Sequence, residues 1–129
     1  MRAAVALVPY FMLAAGCGAL AIAAPVEPGP TETQMRAAFE ESLSRQVRNA
    51  LDFAAETGGP EAVAQIRERG HDRFSIAAFR KRNCRRLAED GSHRCDFVVD
   101  IELVTGRMQH QLTGRFIPQP AQLVFVQDA

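Results

Sequence analysis

The spacing of apolar residues changes once along this chain, from a helical period to an alternating one. From His71 onward, apolar and polar residues alternate, which is typical of strands buried on one face. Helical spacing followed by a run of strands favours an α+β domain, in which a long helix packs across an antiparallel sheet. Before Gly70, one helix face is marked by apolar residues at Met35, Phe39, Leu43, Val47, Leu51 and Ala54.

Local signals define where the long helix begins and ends. Thr31 is a suitable N-cap, and Gln34, three residues later, completes a capping box. Glu32 places a negative charge in the first turn, where the helix dipole favours it. The segment Gly58-Gly59-Pro60 predicts the end of this helix, and Pro60 predicts the start of a short second one.

Four strands are predicted after this helix, in a meander. The first contains Phe74, Ile76 and Ala78, and Phe79 breaks its alternation, which indicates a bulge. The second alternates from Cys95 to Leu103, the third from Met108 to Phe116, and the last covers Leu123 to Val126.

Turn positions predict the pairing of these strands. A turn at Glu89-Asp90 places Cys84 opposite Cys95, and a turn at Thr105-Gly106 joins the second and third strands. Counting outward from the second turn predicts the opposing pairs Leu103 and Met108, Ile101 and His110, Val99 and Leu112, Phe97 and Gly114, Asp96 and Arg115, and Asp100 and Gln111.

The first residues have the layout of a secretory signal. Arg2 precedes an almost wholly apolar stretch, and Ala21-Ile22-Ala23 is a small-residue cleavage site before Ala24. We therefore predict a signal peptide over 1–23, a Pro-rich linker over 24–30 and one domain over 31–129, exported to the periplasm or secreted. Alternatively, Leu13-Ala14-Ala15-Gly16-Cys17 resembles a bacterial lipobox, and lipidation of Cys17 would anchor the protein in the envelope; membrane contact is expected only in that case.

Two cysteines remain once Cys17 is set aside, and an even number in an oxidising compartment predicts one disulfide, between Cys84 and Cys95. Together with His93 and Asp90 they could instead be drawn as a zinc site. Their spacing matches no standard pattern of zinc ligands, however, so no metal is predicted.

From Cys84 to its end, the chain resembles small exported bacterial proteins of unknown function with cystatin-like or NTF2-like folds. The matching features are Cys84, Cys95 with its alternating strand, Gly114-Arg115-Phe116 and the final strand. In those proteins a long N-terminal helix lies in a curved sheet, and a cysteine pair joins the first hairpin. The resemblance implies this fold and an exported location, and it implies no activity.

Charge excludes one class of partner and suggests another. The 15 basic and 15 acidic residues leave no net charge, which argues against a nucleic-acid-binding protein. One run nevertheless holds five cations in seven residues, and it could bind an anionic envelope component or a partner protein. Alternatively, it is a solvated sheet edge. The run consists of Arg80, Lys81, Arg82, Arg85 and Arg86.

No catalytic residue and no cofactor site is predicted. Asp96, Asp100 and Glu102 share the polar face of one strand, which is more typical of a solvated surface than of an acid–base pair. Two functions remain: a non-enzymatic binding or accessory module of the envelope, or a small-ligand binder or enzyme with a cavity beside His110. The second requires that Phe39, Leu43 and Val47 leave the concave face unfilled, and the helix pattern predicts that they fill it.

Overall fold

A computed structural model describes residues 29–87 and 89–128. The elements follow the predicted order: α1 (Glu32–Glu68), β1 (Phe74–Arg86), β2 (His93–Leu103), β3 (Gly106–Pro118) and β4 (Leu123–Gln127). The four strands form one antiparallel sheet in the order β1-β2-β3-β4, and α1 contacts β1 and β4. The α+β architecture with a helix on a four-stranded meander is therefore confirmed.

The helix begins and breaks where the local signals predict. The Thr31 hydroxyl accepts a hydrogen bond from the backbone N–H of Gln34, and the Gln34 side chain accepts one from the backbone N–H of Thr31. At Gly59 the backbone has a φ of 69°, which interrupts the helical conformation, and the helix resumes at Pro60. Left-handed backbone of this kind costs glycine little, and Pro60 suits a first helical turn because no N–H is needed there.

The core is a cluster of aromatic rings between the first turns of α1 and the sheet. Phe97, at the centre of β2, is 1% exposed, and its ring centroid lies 4.9 to 5.8 Å from those of the four surrounding phenylalanines. Edge-to-face pairs dominate, an arrangement that aromatic quadrupoles favour. The surrounding rings are those of Phe39, Phe79, Phe116 and Phe125.

Two irregularities in β1 place its apolar residues on the core face. The register against β2 shifts between Ile76 and Ala78, and again between Lys81 and Cys84. The first shift brings Phe79 opposite Val99, so that Ile76 and Phe79 are both buried although three positions separate them. The bulge predicted from Phe79 is confirmed, since one extra residue reverses the side-chain alternation.

The hairpin between β2 and β3 differs from the predicted register by two residues. Leu103 pairs with Gly106, which makes Val104-Thr105 the loop, and the observed pairs include Phe97 with Leu112 and Cys95 with Gly114. The predicted pairs were therefore wrong, including Asp96 with Arg115 and Asp100 with Gln111. A type I′ or II′ turn at Thr105-Gly106 would need a positive φ at Thr105, which a β-branched residue disfavours. The observed loop has a positive φ only at Gly106, where φ is 131°. Because the observed register differs from the predicted one by an even number of residues, every side chain lies on its predicted face of the sheet.

The first hairpin has the predicted register. Cys84 lies opposite Cys95, and the two form a disulfide across the adjacent strands β1 and β2. The end of the predicted linker packs against this hairpin: Pro30 is buried, and a Cβ on Gly29 would lie 3.3 Å from the Cβ of Cys84. The signal peptide, Cys17 and linker residues 24–28 lie outside the described residues. Over 29–87 and 89–128, no helix is long and apolar enough to cross a membrane.

Candidate functional site

The sheet-facing side chains of α1 become less buried from its N-terminus to its C-terminus, and the candidate site lies where they are only half-buried. Met35 and Phe39 are buried in the core, whereas Leu43, Val47 and Leu51 further along the same face are only half-buried. The sheet also narrows in this direction, because β4 pairs only with Gly114–Pro118 of β3. Beneath the second part of the helix, the described strands are β1, β2 and the unpaired half of β3.

A cavity of about 320 Å³ lies in this space, between the helix and the far end of the sheet. This volume falls at the lower end of the range for small-molecule sites. The prediction that α1 fills the concave face was wrong: Phe39 fills its part, but Leu43 and Val47 form a wall of the cavity. The apolar lining consists of Leu43, Val47, Ala50, Leu51, Ile66, Phe74, Ile101 and Leu103.

Four polar side chains complete the lining, and they come from three separate parts of the chain. Gln46 lies on α1, His110 on β3, and His71 and Arg73 lie in the turn between α1 and β1. His110 is half-buried opposite Val99, whereas His71 and Arg73 are exposed. Sequence reasoning singled out His110 but missed His71 and Arg73, because only the return of the chain after Gly70 brings them to the same cavity as β3.

The basic run at residues 80–86 does not form one surface. Lys81 is half-buried against the start of α1, where its ammonium donates to the Pro30 carbonyl at 2.8 Å and its backbone N–H donates to Glu32 at 3.1 Å. Arg80 and Arg85 lie on the sheet face away from the helix, and Arg82 falls in the irregular stretch before Cys84. Whether these residues bind an anion stays a prediction, although Lys81 is already engaged in holding β1 to α1.

Pairing across the strands instead assembles a row of arginines on the outer face, the sheet face away from α1. Arg85 on β1 lies opposite Arg94 on β2, which lies opposite Arg115 on β3. Like charges directly opposite one another destabilise a sheet. Asp128 offsets part of this cost, because its carboxylate lies 3.1 Å from the Nε of Arg94. We call Arg85, Arg94 and Arg115 the arginine row.

The three carboxylates considered as acid–base candidates lie on the same outer face, each with its own partner. Asp96 accepts a hydrogen bond from Thr113 at 2.7 Å, and Glu102 one from Ser75 at 3.5 Å. Asp100 accepts hydrogen bonds from Arg107 at 2.8 Å and from Gln109 at 3.1 Å. Both bonds lower the pKa of Asp100, and the bond from Arg107 has the larger effect. A carboxylate held in its charged form in this way is a poor proton donor at neutral pH.

The zinc alternative finds no support in the arrangement of the cysteines. Both sulfur atoms are used in the disulfide, and Asp90 accepts hydrogen bonds from the backbone N–H and hydroxyl of Ser92, which lower its pKa. In the described part of the chain, no group of three or more His, Cys, Asp or Glu side chains is placed to hold a metal ion. No protein-family model matches this chain and no curated protein matches it, so the geometry of the cavity carries the functional argument.

Proposed function

We propose that this protein is an exported, non-enzymatic binding protein that holds a small, mainly apolar molecule between α1 and the sheet. The observation that carries the proposal is the 320 Å³ cavity beside His110, with its eight apolar and four polar lining residues. Apolar walls with a few convergent polar groups are the usual construction of a small-molecule site.

The size of the cavity limits the ligand. A cavity of about 150 Å³ accepts one benzene molecule, so one of 320 Å³ holds roughly twelve non-hydrogen atoms. The driving force is burial of apolar surface, at about 25 cal/mol per Å². A ten-carbon chain with a small polar end satisfies both limits.

Titration calorimetry with decanoate tests this function. The purified protein is expected to bind one equivalent, with the negative heat-capacity change that accompanies apolar burial. Val47→Trp adds about seven non-hydrogen atoms to the cavity wall and should abolish binding. Ile66→Trp fills the same space from the other side of the Gly59 break, and Phe53→Trp is the matched control because Phe53 is 67% exposed and does not line the cavity.

Binding that both plugged variants retain would overturn the proposal, because the ligand would then lie elsewhere. Absence of binding to the unaltered protein would overturn it as well. Thermal melting of each variant shows that it is folded before it is titrated. Loss in Val47→Trp and Ile66→Trp, with retention in Phe53→Trp, would support the cavity as the site.

Export is part of the proposal. It is supported by the leader pattern and by the disulfide, since structural disulfides are typical of oxidising compartments and rare in the cytosol. Intact mass of the protein recovered from the cell envelope, with and without reductant, tests it. A mass starting at Ala24 indicates a released protein, and a mass starting at an acylated Cys17 indicates a lipid anchor. A mass starting at Met1 would overturn export by cleavage.

The arginine row favours a second candidate function, contact with an anionic lipid surface of the envelope. Three guanidinium groups in register across three strands concentrate positive charge. Asp128, beside Arg94, and Asp90, which interacts electrostatically with Arg115, neutralise only part of it. Salt-sensitive cosedimentation with anionic vesicles, lost in Arg85→Ser/Arg115→Ser and retained in Arg45→Ser/Arg48→Ser on the helix, would support it. Equal sedimentation of both double variants would exclude the row as the contact.

A further inference from the structure

Among the described residues, the cavity lining contains a positively charged side chain and no negatively charged one, and this limits the chemical class of the ligand. Arg73 supplies the one side chain in the lining that is always charged, and no aspartate or glutamate of the described chain is part of that lining. We propose that the ligand is an amphipathic carboxylate, with its chain in the cavity and its carboxylate at Arg73. This inference rests on the proposed function, since it specifies what the same cavity binds.

Arg73 is held at the edge of the cavity by the turn that follows α1. Its backbone N–H donates to the Gly70 carbonyl at 3.2 Å, and its Nη2 lies 3.3 Å from where a Cβ on Gly70 would be. Val104, at the tip of the β2–β3 hairpin, lies at the same distance from that point. The guanidinium is therefore positioned where the helix end meets the hairpin, next to the apolar wall.

The guanidinium of Arg73 is also available. Among residues 29–87 and 89–128, Arg73 takes part in no ion pair. A planar guanidinium without a carboxylate partner can form two parallel hydrogen bonds to a ligand carboxylate. Gln46, through its side-chain amide, and His71 add further donors in the same lining.

Other head groups match this lining less well. A ligand ammonium would meet the positive charge of Arg73 and no lining carboxylate, because the neighbouring acids Glu68 and Asp72 do not line the cavity. A hydroxyl would find hydrogen-bond donors and acceptors but would gain nothing from the charge. The expected order of affinity for one chain length is therefore carboxylate, then alcohol, then amine.

Titration with decanoate, 1-decanol and decylammonium separates the head group from the chain. The unaltered protein is expected to bind decanoate at least about tenfold more tightly than 1-decanol, the gain of one charge-assisted hydrogen-bonded pair. Arg73→Gln should remove this preference and leave the affinity for 1-decanol unchanged. Arg69→Gln is the matched control, because it removes an exposed arginine from the same segment but not from the lining.

The outcomes distinguish this inference from the function on which it rests. Equal affinity for decanoate and 1-decanol, or an unchanged preference in Arg73→Gln, would overturn the carboxylate assignment while the cavity still binds a chain. An equal loss of preference in Arg69→Gln would also overturn it, since the general positive field would then be sufficient. Failure of all three compounds to bind would overturn the proposed function itself.

Discussion

Replacing Gly114 by alanine tests how the edge of the core is assembled. Gly114 lies on β3 opposite Cys95 on one side and Gln127 of β4 on the other. A Cβ at this position would overlap Cε2 of Phe125 and would lie 2.8 Å from its Cζ and 2.8 Å from the backbone oxygen of Val126. The Phe125 ring thus occupies the space that any other residue at Gly114 would need.

The expected loss of stability in Gly114→Ala depends on the residues that surround the Phe125 ring. Phe125 is 4% exposed and its centroid lies 5.1 to 5.5 Å from those of Phe39, Phe97 and Phe116, so these three rings oppose its displacement. The second obstacle is backbone of a paired strand, which moves only if β4 shifts. We therefore expect Gly114→Ala to lower the free energy of unfolding by about 2–3 kcal/mol, the upper part of the usual range for overpacking.

The sign of the effect makes the test decisive. The φ of Gly114 is not in the left-handed region, so without the steric conflict an alanine would stabilise the fold by about 0.4–1 kcal/mol by restricting the unfolded chain. Thermal denaturation measures the difference, since about 2–3 kcal/mol corresponds to a melting temperature lower by roughly 8–24 °C in a domain of this size. A melting temperature equal to or above that of the unaltered protein would refute the reasoning.

Phe125→Leu in the Gly114→Ala background identifies the cause. Leucine lacks the two ring atoms that approach Gly114, so the double variant should lose less stability than the two single variants together, by about 1 kcal/mol or more. Additive losses would show that the Val126 backbone, and not the ring, is the obstacle. Gln111→Ala controls for the strand itself, because Gln111 is exposed on the outer face of β3, three positions before Gly114.

Two further predictions concern the disulfide and the acid sensitivity of the outer face. Reducing the Cys84–Cys95 bond, or replacing both cysteines by alanine, should lower stability by about 3 kcal/mol by restoring freedom to the unfolded loop; an unchanged urea midpoint in reductant would contradict this. The pKa of Asp100 is lower in the folded than in the unfolded protein, mainly because of Arg107, so its stabilisation is present at neutral pH and is lost as the pH falls below about 4. Asp100→Asn should therefore melt below the unaltered protein at pH 7, and this difference should become smaller at pH 2.5. A difference that does not change with pH would argue against the ion pair.

Local signals predicted most of the fold. The capping box at Thr31, the break at Gly59 and the bulge before Phe79 each depend on a few neighbouring residues, and each is present in the structure. The pairing of Cys84 with Cys95 was also predicted, because counting outward from the correct turn centre leaves one register. The β2–β3 register was missed by two positions, since Val104-Thr105 is a poor turn by composition and becomes acceptable because Gly106 follows it.

The candidate site could be predicted only in part. His110 was recognised as a polar residue on an apolar strand face, but the cavity depends on where α1 parts from the sheet and on where β4 ends. Neither is a local property of the helix: its apolar stripe continues past Phe39 whether or not a strand lies beneath it. The basic run likewise looked continuous in the sequence, and strand alternation with a register shift divided it between two faces.

The amino-acid sequence by itself determined which segments are helix and strand, which side chains face the core and which cysteines meet, because these follow from periodicity, capping and counting between neighbours. Only the tertiary structure decided that Leu43 and Val47 border a cavity, that His71, Arg73 and His110 line it together, and that Arg85, Arg94 and Arg115 align across three strands. The physical reason is that strand length, register and the path of the helix over the sheet are set by contacts between residues far apart in the chain. Those contacts leave no periodic signal in any one segment.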